Sequence, residues 1–139
     1  MNSMEDVFDR LKRSSQPFDL GMDTFTQIET FGSLTAFDFL EIAIRVNQQS
    51  ELIPSRLSPR HVDRNGPRET LKRTLANEAT PDTEVQSDKG EEILDDLVEY
   101  VETEVGLNHT AAIFDVESCL CTYHGELENR GPDWRGSCT

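Results

Sequence analysis

The chain has 139 residues, of which 35% are hydrophobic, and carries 27 Asp and Glu against 13 Lys and Arg, a formal net charge of -14. That length fits one domain with a buried core, and the apolar residues fall in periodic clusters, which excludes a disordered polypeptide. The charge excludes simple electrostatic attraction of the whole molecule to phosphate.

Only three of the basic residues are Lys: Lys12, Lys72 and Lys89. Abundant carboxylate with little Lys is the surface expected of a protein from a high-salt cytoplasm, where dense salt screens its self-repulsion. The acids are spread over many segments, which favours salt adaptation over a DNA mimic that occupies a partner's nucleic-acid groove. No apolar run follows "MNSMEDVFDRLKR" and no stretch of about 18 apolar residues exists, so neither a signal peptide nor a spanning helix is expected. A cytoplasmic protein without membrane contact is the expectation.

In chain order, Ser3 can cap a helix running to about Arg13, with Val7, Phe8 and Leu11 inward. "QPFDLG" is expected to break it. A second helix is expected over Asp23 to Phe31, stopped by Gly32, and a third over Ser33 to Val46. In "SLTAFDFLEIAIRV" apolar residues surround nearly the whole cylinder, which predicts a central buried helix. Its polar stripe, Asp38, Glu41 and Arg45, suits helix-dipole and i+4 pairing, or the lining of a cleft.

"LIPSRLSPRHVDRNGP" reads as an irregular connection, and Pro67 as a first-turn residue of a helix through about Ala76. Arg56, Arg60, Arg64, Arg68, Lys72 and Arg73 make this the one basic region, either a dock for an anionic partner or a face paired to the protein's own acids. A polar linker is expected over 78–90, and an amphipathic helix from Glu91 to Val105, ended by Gly106. A last helix starts at Asn108 or Thr110 and reaches about Tyr123. The fold expected is mainly α, with five or six helices and a helix-hairpin-helix-like element. It comprises a helical part over 1–77, the linker, a helical hairpin over 91–125 and a flexible tail over 126–139.

All three cysteines lie in "DVESCLCTYHGELENRGPDWRGSCT". On a helix, Cys119 and Cys121 are about 200° apart and cannot chelate one ion. Glu117, Cys121 and His124 share one face, whereas Cys119 joins Ala112, Val116 and Tyr123 in what reads as core. A zinc site from Cys119, Cys121, His124 and Cys138 has the right ligand count but requires the helix to unwind. A disulfide is less expected in a reducing compartment. The preferred reading is a plain helix with one functional face, with no cofactor and no metal.

Within "IETFGSLTA", Gly32 to Ala36 match the second half of a helix-hairpin-helix element, whose backbone N–H groups meet a DNA phosphate without side-chain charge, while the earlier hairpin glycine is absent. The stretch "FGSLTAFDFLEIAIRV", followed by "NGPRETLKR" and later by "VESCLCTYH", resembles the α-glutamyl/putrescinyl thymine pyrophosphorylase group of the DNA-glycosylase-like superfamily. The resemblance rests on Gly32, Phe37, Asp38 and Leu40 and on Glu117, Leu120, Cys121 and Tyr123. It covers roughly half the chain, and such proteins are substantially longer. It implies a DNA-related fold acting on a base, or a truncated relative needing a companion chain.

In that reading Asp38, Glu117 or Asp63 would stabilise an oxocarbenium-like sugar or activate water. Glu41, Cys121, Tyr123 and His124 would line the pocket of a flipped base. Gly32 and the Arg56–Arg73 region would hold nucleic acid. The alternatives are an acidic helical interaction module, as adaptor or DNA-mimic inhibitor, and a small zinc-stabilised domain.

Overall fold

A computed structural model describes residues 3–78 and 84–127, with the side chains of Asn65, 76–78 and 124–127 outside the description. The protein is mainly helical, with six α-helices and no strand among the described residues. It forms two compact units, Met1–Ser55 and Arg56–Thr139, each described by itself.

The first unit contains α1 (Met4–Lys12), α2 (Pro17–Phe25) and α3 (Ser33–Arg45), then a 3-10 turn at Ser50–Leu52. Ser3 starts α1 through a reciprocal capping box. Its Oγ accepts the Asp6 N–H at 3.2 Å, and its own N–H donates to Asp6 Oδ2 at 2.9 Å. The second helix lies earlier than the sequence reading placed it. Pro17 does not break the chain but occupies the first helical turn, where its missing N–H costs nothing. Residues 26–32 are the turn into α3.

Phe8, Phe25 and Phe31 surround Phe39, with ring centroids 6.4, 4.8 and 6.2 Å away, and Phe18 meets Phe37 edge-on at 5.5 Å. Edge contacts of this kind add to the area buried by each ring. The third helix is not buried all round as its composition suggests. Ala36, Phe37, Leu40, Ala43 and Ile44 face inward, but Ile42 and Val46 are 53% and 70% exposed.

The second unit contains a 3-10 turn at Pro59–Val62, α4 (Asn65–Glu78), α5 (Asp88–Tyr100) and α6 (His109–Leu127). Helix α4 packs extensively along α6, and α5 contacts both. The core comprises Leu57, Val62, Leu71, Leu75, Ile93, Leu94, Ala112, Ile113, Phe114, Val116 and Leu120. Of the expected linker, residues 79–83 lie outside the description, as do 128–139 of the expected tail. Val85, at the linker's end, is buried.

Ser87 caps α5 by accepting the Gly90 N–H at 3.2 Å, and Asn108 caps α6 by accepting the Ala111 N–H at 2.9 Å. The α5 cylinder continues as a π turn, Val101–Val105, which Gly106 ends in the left-handed region at φ 84°. That turn rotates the final valine away from the helix stripe, so Val105 is exposed rather than inward.

Gly90 sits where the chain folds back on the first turn of α5. A Cβ there would lie 2.1 Å from the Val85 carbonyl oxygen, whereas one on Gly32 would meet nothing within 4 Å. Gly90→Ala is therefore expected to cost about 1–3 kcal/mol. Gly32→Ser, which supplies the side-chain cap that α3 lacks, is expected to be neutral or stabilising by a few tenths of a kcal/mol. Urea unfolding of both variants checks this, and equal stability losses would contradict it.

Candidate functional site

The polar centre of the second unit starts at Arg64, which leads into α4: its carbonyl accepts the Arg68 N–H at 2.9 Å. Its side chain turns inward and is only 1% exposed. Nη1 donates to the His61 carbonyl oxygen at 2.9 Å, and Nη2 makes a short contact with Glu117 Oε1 on α6. Glu117 is likewise buried. This is a buried ion pair between residues 53 apart in sequence.

Two hydrogen bonds frame the pair. His61 is held in the 3-10 turn by the Ser58 N–H, which donates to Nδ1 at 3.1 Å. Nδ1 then carries no proton, and the neutral ring protonates on Nε2. Further along the helices, Thr70 Oγ donates to the Leu120 carbonyl oxygen at 2.7 Å and ties α4 to α6. Such a bond satisfies a hydroxyl that would be costly to bury alone.

The orientation of α6 reverses the core assignment made from its sequence. Glu117 and Cys121 face inward with Ala112, Val116 and Leu120, whereas Cys119 is exposed and Tyr123 is 53% exposed. Cys119 is the free thiol among the described residues, and Cys121 is disulfide-bonded, which a reducing compartment does not anticipate. The side chain of His124 and all of Cys138 lie outside the described residues. Among those described, no group of three or more His, Cys, Asp and Glu could hold a metal ion.

The three carboxylates proposed for chemistry occupy different settings. Asp38 is exposed on α3 in the first unit, with Glu41 beside it on that helix pairing Arg45 at 3.0 Å. In the second unit Asp63 pairs with Arg68 at 3.2 Å, and Glu117 is taken up by Arg64. Gly32 precedes α3 with φ -80° and ψ 177°, an extended conformation open to any residue.

The basic region is largely consumed by the protein itself. Arg56 grips Asp95 with Nη2 at 2.6 Å and Nε at 3.3 Å, and approaches Glu91 at 3.4 Å. The hydrogen bond and charge of Asp95 push the Arg56 guanidinium above its usual range. Lys72 meets Glu69 at 3.5 Å, while Arg60 and Arg73 are exposed. Sequence reasoning counted these cations correctly but could not see Asp95 or Glu117 arriving from other helices. The buried His61, Arg64 and Thr70 likewise carried no periodic signal.

Cys119 is a poor candidate for an activated nucleophile. Partial burial of its sulfur, followed by the Asp115 carboxylate 3.8 Å away, pushes the thiol above its ordinary value. A thiol must ionise to react, so this setting disfavours attack at neutral pH. Comparison with models of protein families, with curated proteins and with solved structures finds no match.

Asp115→Asn removes the charge that opposes thiolate formation, so alkylation of Cys119 at fixed pH is expected to accelerate. An unchanged or slower rate, followed by mass spectrometry, would contradict the role given to Asp115. Thr70→Val keeps the side-chain shape but loses the bond to Leu120, and is expected to cost about 1–2 kcal/mol in urea unfolding. A variant as stable as the parent would contradict that tie.

Proposed function

We propose that this chain is a non-catalytic, acidic helical interaction protein whose α5 face docks on a cation-rich protein surface. The observation that carries this reading is the fate of the basic region: at least four of its six cations, Arg56, Arg64, Arg68 and Lys72, are paired with the chain's own carboxylates among the described residues. A phosphate backbone is held chiefly by Lys and Arg that exchange condensed counterions for protein charge, and cations already spoken for serve that poorly.

The outer face of α5 offers the opposite charge. Asp88, Glu92, Asp95, Asp96 and Glu99 are all exposed and fall within about one third of the helix circumference. Asp95 is engaged by Arg56, and Glu92 by Lys89 at 3.3 Å. Among the described residues Asp88, Asp96, Glu99 and Glu104 make no ion pair. Tyr100 stands exposed at the edge of the stripe and supplies apolar area beside the charges. Complementary charge of this kind steers encounter and fixes register more than it sets affinity.

A base-excision relative that binds nucleic acid is the second reading. It rests on the family resemblance and on the start of α3, where no side chain caps the helix, so its first N–H groups are left for another acceptor. Its proposed acids are less favourably set, because Glu117 and Asp63 each hold an arginine.

The discriminating experiment titrates the protein with an oligo-arginine peptide and with duplex DNA. The interaction reading predicts peptide binding that Asp96→Asn with Glu99→Gln weakens, while Glu5→Gln with Glu29→Gln leaves it unchanged. Equal losses would make the attraction diffuse and remove α5 as a docking face. DNA binding lost on Arg60→Glu with Arg73→Glu would favour the nucleic-acid reading.

We propose salt adaptation on the same charge excess. Raising KCl from about 0.1 to about 1 M shortens the screening length from about 10 to about 3 Å, so the thermal midpoint is expected to rise. A constant or falling midpoint would contradict salt adaptation.

A further inference from the structure

We propose that the outer face of α3 is a contact surface between two copies of this chain, paired antiparallel so that Asp38 of each copy meets Arg45 of the other. This goes beyond the docking role of α5 and rests on a different helix in a different unit.

Ile42 and Val46 stand one turn apart and are among the most exposed large apolar side chains of the protein. Both are β-branched, a class that loses side-chain freedom in a helix, so helix propensity gives no reason for them on a solvated face. Leu34, half-buried two turns before Ile42, extends the same stripe. In a chain of net charge -14, a solvated helix face would be expected to carry acids here, as α5 does.

The charges on this face match a second copy of itself. Asp38 and Arg45 are exposed, of opposite sign, and two helical turns apart on the stripe that holds Ile42. In a two-fold antiparallel pair, facing residue numbers add to a constant, so one Asp38–Arg45 contact generates its symmetry mate. That register brings Ile42 to within one residue, about 1.5 Å along the axis, of its own mate, and the apolar contact falls between the two ion pairs. Arg45 uses Nη1 on Glu41 and has further N–H donors for a second carboxylate. A helix of 13 residues is about 20 Å long, less than a standard interface needs, so the dimer is weak and concentration-dependent.

Sedimentation equilibrium of the full chain tests this in about 1 M KCl, where repulsion between the two acidic copies reaches only about 3 Å. A monomer–dimer equilibrium is expected, lost on Ile42→Glu, weakened by Asp38→Arg or Arg45→Asp alone, and recovered when both charge changes are combined. Circular dichroism reports the helical content of each variant, and Ile42→Ser replaces Ile42→Glu should the latter lose helix. A monomer at every concentration would overturn the proposal. So would an association indifferent to Ile42, or a double exchange that fails to recover what each single change removed.

Discussion

The second unit is organised around one interaction, the buried pair of Arg64 and Glu117. Removing two charges from water costs several kcal/mol per ion even after relaxation, and only close geometry with further hydrogen bonds offsets it. The chain supplies both. The 3-10 turn at Pro59–Val62 presents the His61 carbonyl to one guanidinium nitrogen, and α6 presents Glu117 to another. The rotation of α6 about its axis follows from this requirement. With Glu117 inward, Cys121 and Leu120 are inward as well, and Cys119 and Tyr123 are turned to solvent. Thr70 adds a neutral tie between α4 and α6 one turn further on.

The same pairing decides what the surface can do. A chain with twice as many acids as bases places its few cations against its own carboxylates: Arg56 on Asp95, Arg68 on Asp63, Arg64 on Glu117. Acidic excess then remains along the outer face of α5, where Arg56 and Lys89 engage only Asp95 and Glu92 of its five carboxylates. The two exposed pairs, Arg56–Asp95 and Arg68–Asp63, contribute little to stability, typically under about 1 kcal/mol each. Their consequence is electrostatic bookkeeping of the surface, leaving a neutralised patch around α4 and a charged one on α5.

Local chemistry made much of the fold legible. Ser3 and Gly106 mark the ends of helices because each acts within a turn of its own position, and the α-only architecture follows from the 3.6-residue apolar period. Pro17 was misread because a proline can end one helix or begin the next, and the residues around it carry no apolar period strong enough to decide. The face of α6 was misread for a different reason. Ala112, Val116 and Cys119 form one arc, and Ile113, Glu117 and Cys121 a second arc beside it, so the wheel alone does not rank them. The arginine that settles the matter lies 53 residues away. Nor could composition separate the buried side of α3 from Ile42 and Val46, since all are apolar and the helix packs on one side only.

Stability measurements on Arg64→Met, Glu117→Leu and the two combined test most directly whether Glu117 serves the interior rather than chemistry. Each single change strands a buried charge and is predicted to cost about 3–5 kcal/mol, while the double change, which buries apolar groups of similar volume, is predicted to regain most of that loss. Single variants as stable as the parent, or losses that simply add, would contradict the account.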